Sequence, residues 1–97
     1  MFFEWDPDKA LTNELTHGVS FREASTIFDD SFAETYFDLG HSDDEDRFIT
    51  IGFTHERRLI FVAHTERGDN LRLISARLVT RRERKQYEKN RGEDEYR

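Results

Sequence analysis

Ninety-seven residues leave room for one modest hydrophobic core, and so for one domain. The absence of cysteine excludes disulfides, zinc–thiolate sites and a thiol nucleophile. The formal net charge of -6 argues against a nonspecific nucleic-acid binder, which is basic overall.

The charge is unevenly spread. Residues 1–46 hold two cations and thirteen acids, net -11, whereas residues 47–97 hold thirteen cations and eight acids, net +5. Twelve of the fifteen cations are arginine, the residue suited to planar, bidentate contacts with carboxylate or phosphate. No early apolar run follows a basic segment, and none approaches membrane-spanning length. The expectation is a soluble cytoplasmic protein without a membrane role.

Phe2 to Trp5 reads as a short strand or extended entry. Asp6 and Pro7 then predict a helix start, Asp6 as cap and Pro7 in the first turn, where its missing N–H costs nothing. Ala10, Leu11 and Leu15 predict a narrow apolar stripe, with Lys9, Asn13 and His17 elsewhere on the surface. Gly18 ends this helix. Ser20 and Glu23 have capping-box spacing, with Val19 and Ala24 as a small hydrophobic staple. Phe21, Ala24, Ile27 and Phe28 recur at helical spacing up to Asp29-Asp30 and predict a core face. Phe32 to Phe37 reads as a weak extended segment. Asp38 to Asp46 is an acidic loop without the ligand register of a calcium site, so no metal is expected there.

From Arg47 onward strands are predicted over Arg47–Phe53, Leu59–Thr65 and Leu71–Leu78, joined by the turns THERR and ERGDN. Short connections make these an antiparallel meander, covered on one face by the two N-terminal helices. The last strand turns at Thr80, where Thr80 and Glu83 repeat the capping-box spacing. A helix follows from Arg81 to about Asn90, with Tyr87 as packing anchor and residues 91–97 as a frayed tail. The expected architecture is a single α+β domain over residues 1–97, with an antiparallel sheet of the meander plus the N-terminal strand.

The chemistry-bearing residues gather near the end of the chain. Arg77, Arg81, Arg82, Arg84 and Lys85 surround the strand-to-helix corner and suit phosphate. Alternation places Val62 and His64 on one sheet face, with Arg72, Ile74 and Ala76 comparable by parity. Leu71, Leu73, Ser75 and Arg77 take the other face, and parity leaves open which is buried. A histidine, an acid and several arginines are enough for RNA cleavage without a metal. A base takes the 2′-hydroxyl proton, arginines stabilise the charged phosphate and an acid protonates the leaving 5′-oxygen. Each residue also has a plainer reading. His64 ends an apolar strand and suits a buried structural role, His17 suits the negative end of a helix dipole, and His41 and His55 sit in polar loops. Glu45 and Arg47 suit a local ion pair.

Several stretches together resemble the BrnT toxins of bacterial type II toxin–antitoxin systems. These are FEWDPDKA at 3–10, HGVSFREA at 17–24 with Phe28 following, EDRFITIG at 45–52, HTERGDNLRLISAR at 64–77 and RRERKQYE at 81–88. The resemblance implies a small RelE-like fold and a metal-independent endoribonuclease that blocks translation without a cofactor. It also implies a BrnA-type ribbon-helix-helix antitoxin that neutralises the toxin, with operator DNA bound only through that antitoxin. Carried over by position, it implies catalytic roles for His64, Glu66, Arg67, Arg77 and His17, with His64 as first choice of general base and Glu66 as second. It implies RNA or phosphate contacts for Lys9, Arg47, Arg72, Arg81, Arg82 and Tyr87, the last three also suiting antitoxin. The acidic total keeps open an inactive toxin-fold subunit that acts only as antitoxin partner and corepressor. A plain nucleic-acid-binding domain fits less well, because most phenylalanines sit at core-like spacings.

Overall fold

The computed structural model describes residues 1–95. The meander stands at its centre as β3 (Arg47–Phe53), β4 (Leu59–Arg67) and β5 (Asn70–Leu78), antiparallel throughout. Gly68 opens the two-residue turn between β4 and β5 at φ +60°, a backbone setting that a side chain resists.

Two outer strands complete a five-stranded sheet in the order β1-β5-β4-β3-β2. β1 (Phe2–Glu4) pairs with β5 in parallel, so the sheet is mixed and not the antiparallel one expected. Its direction follows from where the first helix must begin in order to lie beside β5, a constraint invisible in three residues of strand. The extended segment near Phe32 is the fifth strand, β2 (Glu34–Phe37), paired antiparallel with β3. Its alternation is faint because it is an edge strand, with Thr35, Tyr36 and Phe37 exposed.

The helix α1 (Pro7–His17) starts and stops as its sequence predicts. Asp6 accepts hydrogen bonds from the N–H groups of Asp8 (2.8 Å) and Lys9 (3.2 Å), and Gly18 closes the helix at φ +70°. Its buried face differs from the expected one. Leu11 and Leu15 are exposed, and the buried residue is Asn13. Because β1 is so short, β5 has a free edge beyond Arg72, and Asn13 satisfies it. The Asn13 amide donates to the carbonyls of Ala76 and Val19, each at 2.9 Å, and accepts from the Ala76 N–H at 3.0 Å. Buried backbone groups demand such partners, and here a side chain stands in for a missing strand.

α2 (Phe21–Ser25) continues as a 3-10 turn over Thr26–Asp29. Ser20 caps it, but Glu23 does not return the bond. Its carboxylate instead reaches Thr54 at 2.9 Å and pairs with Arg58, tying α2 to the turn between β3 and β4. Val19, Phe21, Ala24 and Ile27 pack on Ile60, Val62, Leu71, Leu73 and Ala76, forming the main core on one face of the sheet.

The opposite face has a smaller core of Ile51, Leu59 and Tyr87, beneath α3 (Arg81–Glu95). The third capping box forms in full: Thr80 N–H donates to Glu83 Oε1 (2.8 Å) and Glu83 N–H donates to Thr80 Oγ1 (3.1 Å). α3 runs past Asn90, so the stretch expected to fray is helical as far as Glu95, and residues 96–97 lie outside those described. Among the described residues no helix is long and apolar enough to cross a membrane.

Candidate active site

Strand register sets which side chains meet. A β-bulge places Ile74 of β5 opposite no residue of β4, between the pairs Ala63–Ser75 and His64–Leu73. The bulge breaks simple alternation. Leu71 and Leu73 join His64 and Val62 beneath the helices, while Arg72 and Arg77 both point to the opposite face. Parity had set these two arginines apart, and the extra residue brings them together.

On that face, residues align in rows across the strands. Arg47, Thr65 and Arg72 form one row over β3, β4 and β5, and Phe61 and Arg77 belong to another, four residues further along β4. At about 3.3 Å per residue the two rows lie roughly 13 Å apart.

Arg77 is held from two sides. Its guanidinium lies 3.9 Å from the centre of the Phe61 ring, and its two terminal nitrogens donate to Glu83 Oε1 and Oε2 at 2.9 and 3.0 Å. The same Glu83 caps α3, so helix start and arginine share one carboxylate. The Arg77 bonds, followed by the Thr80 N–H, hold the Glu83 carboxyl below its ordinary pKa. The other arginines also meet acids: Arg72 pairs with Glu4 at 3.0 Å, Arg67 with Glu45 at 3.4 Å, and Arg47 approaches Asp38 at 4.0 Å. The acidic loop folds over the Arg47 end, where Thr65 Oγ1 donates to the Asp46 carbonyl at 2.6 Å.

α1 extends the site past the free edge of β5. Lys9, Thr12, Thr16 and His17 follow one stripe of the helix and line an open pocket together with Asp8 and the bulge residue Ile74. Ile74 also lines the neighbouring pocket beside Arg47 and the acidic loop. Lys9 and His17 are exposed.

Other sequence-predicted positions lie apart. His64 is buried on the helix-covered face, with its ring edge-on to Phe28 at 5.2 Å and stacked on Phe48 at 6.1 Å. Its Nε2 bonds Thr50 Oγ1 at 2.7 Å. Burial lowers its pKa to about 4, so the ring is neutral near pH 7. It cannot reach a phosphate held by Arg77, because the sheet lies between them. Glu66 pairs across with Leu71 at the hairpin end, on the His64 side. Tyr87 is buried against Phe53 and donates its hydroxyl to Asp30 at 2.8 Å. That makes it the anchor of α3 and leaves it no free surface for RNA. Arg81 and Arg82 are exposed on the first turn of α3.

Sequence reasoning missed Phe61, Glu83 as the clamp on Arg77, and Asn13. Glu83 carried a signal in its T-x-x-E spacing. Asn13 carried another, since asparagine is a poor choice for a helix interior unless its amide has a partner. Among the described residues no group of three or more His, Asp or Glu side chains is placed to hold a metal ion.

A comparison with curated proteins returned no match. Among solved structures, the Brucella abortus ribonuclease toxin BrnT is similar with a TM-score of 0.64, over 84% of this chain and 100% of that one, at 22% identity. A likeness at that identity speaks for the fold. Residues 5–83 match the model of the family described as ribonuclease toxin, BrnT, of type II toxin–antitoxin system. The match takes in both helices of the N-terminal half, the whole meander and the first turn of α3, and by it the chain belongs to the BrnT family of ribonuclease toxins.

Proposed function

We propose that this chain cleaves RNA without a metal, where the sheet face opposite α2 meets the exposed stripe of α1 past the free edge of β5. The observation that carries the reading is the placement of Arg47, Arg72 and Arg77 on one face as a cationic track, with Arg77 fixed by Glu83 and Phe61. RNA supplies its own nucleophile. The 2′-oxygen bonds to phosphorus while the bond from phosphorus to the 5′-oxygen breaks, leaving a 2′,3′-cyclic phosphate and a 5′-hydroxyl. Guanidinium forks on this face stabilise the extra negative charge of the transition state. His17 takes the 2′-hydroxyl proton, and Lys9, in the same pocket, supplies a proton to the leaving oxygen. Arg67, Arg81 and Arg82 extend the cationic track at its ends. His64 holds the core, and Glu66 stands outside the reaction.

The family membership supports the wider reading. A BrnA-type ribbon-helix-helix antitoxin neutralises the toxin by covering the basic half, the joint complex binds operator DNA through the antitoxin, and loss of RNA stops translation in the cytoplasm.

A second reading, the inactive corepressor subunit, is favoured by one observation: the arginines of this face each lie within 4.0 Å of a carboxylate of the same chain. Expression of the chain alone from a tightly repressed promoter separates the two. Growth arrest with RNA breakdown, relieved by Arg77→Ala or His17→Ala in soluble folded protein, is expected of the ribonuclease. Intact RNA with retained antitoxin binding would establish the corepressor.

A further inference from the structure

The outer side of α3 carries a stripe of cations. At 3.6 residues per turn, Arg81, Arg82, Lys85 and Lys89 fall within an arc of about 100°, directly away from the buried Tyr87. All four are exposed, and the stripe is about 12 Å long. Among the described residues none of the four has a carboxylate within 4.0 Å, unlike the arginines of the sheet face. The acids nearest to them on the helix are engaged elsewhere. Glu83 turns to Arg77 and the cap, and Glu88 pairs with Arg84 at 3.7 Å.

We propose that this stripe is a second RNA-binding surface, which grips phosphates outside the reacting nucleotides whatever their sequence. The inference rests on the ribonuclease reading above. Charge selects a polyanion, and an unpaired cation meets a phosphate without first giving up a carboxylate. The composition of the stripe selects nucleic acid over protein. It holds no apolar or aromatic side chain to anchor a protein interface, and lysine is depleted from such interfaces. Its position favours the strand that is being cut. Arg81 follows Arg77 by four residues, across the corner where β5 gives way to α3, so the stripe prolongs the cationic track of the sheet face. The reacting pocket beside Ile74 is distant, since the Arg72 row alone stops roughly 13 Å short of the Arg77 row. The stripe therefore adds binding and leaves the chemical step alone, which lowers KM without changing kcat.

The test is cleavage by the full chain of two RNAs, a long unstructured strand that spans sheet face and stripe, and a trinucleotide that fills only the reacting pocket. Lys85→Gln with Lys89→Gln keeps the helix propensity of both exposed positions and removes their charge. It is expected to raise KM for the long strand about tenfold, with kcat unchanged, through two lost phosphate contacts. The salt dependence of binding should become shallower by roughly 1.4 in logarithmic slope. Cleavage of the trinucleotide should stay as it was, and Lys85→Arg with Lys89→Arg should match the wild type on both RNAs. Unchanged KM and salt slope in the glutamine pair overturn the stripe and leave the ribonuclease reading standing. If that pair instead binds antitoxin more weakly, the stripe takes an acidic face of the antitoxin, which also overturns the proposal. A fall in kcat on both RNAs overturns it too, because the two lysines would then act on the chemistry or the fold. Lysine-dependent binding of the long strand by a chain that cuts neither RNA would sink the ribonuclease reading alone. Absence of both binding and cleavage would sink both.

Discussion

Arg77 and His64 sit on opposite faces of one sheet, and their surroundings give them opposite work. Arg77 is charged, half-buried and clamped before any substrate arrives. Glu83→Ala removes that clamp together with a helix cap. Urea unfolding should show a loss of about 1 kcal/mol from the cap alone, and the loosened arginine should slow RNA cleavage in the protein that remains folded. His64 is neutral because the Phe28 and Phe48 rings exclude water around it. Its pKa of about 4 lies below the ordinary 6.5. Between those values the unfolded chain binds a proton that the folded chain refuses. Stability therefore falls as pH drops through that window, by up to roughly 3 kcal/mol, and the effect is absent above it. His64→Phe should remove that part of the pH dependence, measured by denaturant unfolding from pH 7 to pH 4, since Thr50 Oγ1 keeps Thr35 as a partner at 2.8 Å.

At the scale of elements, the free edge of β5 explains both α1 and the site. Asn13 occupies that edge, and the stripe around it carries Lys9 and His17 to the bulge at Ile74. Asn13→Leu would leave buried backbone groups of Ala76 and Val19 without partners, at a cost of roughly 3 kcal/mol in unfolding free energy. Local signals in the sequence were legible: Asp6-Pro7, Gly18, Ser20, the Thr80–Glu83 box and the three meander strands all stand where their residues point. What depends on distant partners was not. The apolar residues of α1 suggested a buried stripe through Leu11 and Leu15, yet the helix is placed by the hydrogen-bonding needs of a strand 63 residues away. Alternation separated Arg72 from Arg77 because nothing in LRLISAR announces that Ile74 is bulged. His64 looked catalytic because a histidine at a strand end is equally suited to either face, and only the helix layer decides which is covered.

For the molecule as a whole, net charge and local charge act differently. A chain at -6 repels RNA at long range, and the cations of its C-terminal half must overcome that at short range. Binding should weaken steeply with salt. If Arg47, Arg72 and Arg77 each meet one phosphate of a single strand, the logarithm of affinity should fall against that of salt with a slope of roughly -2. Such a slope requires those arginines to exchange their carboxylate partners for phosphates, and Arg77→Ala should make it shallower. On the ribonuclease reading the open sheet face, and not the histidine beneath the helices, carries the chemistry. The most direct test of that reading is cleavage of a single-stranded RNA in the presence of a chelator by the wild type, Arg77→Ala and His64→Phe, each verified as folded by circular dichroism. The wild type and His64→Phe should yield fragments ending in 2′,3′-cyclic phosphate, with Arg77→Ala slower by about a hundredfold or more, as when a transition-state charge contact is lost. Full activity in Arg77→Ala together with none in folded His64→Phe would contradict the account.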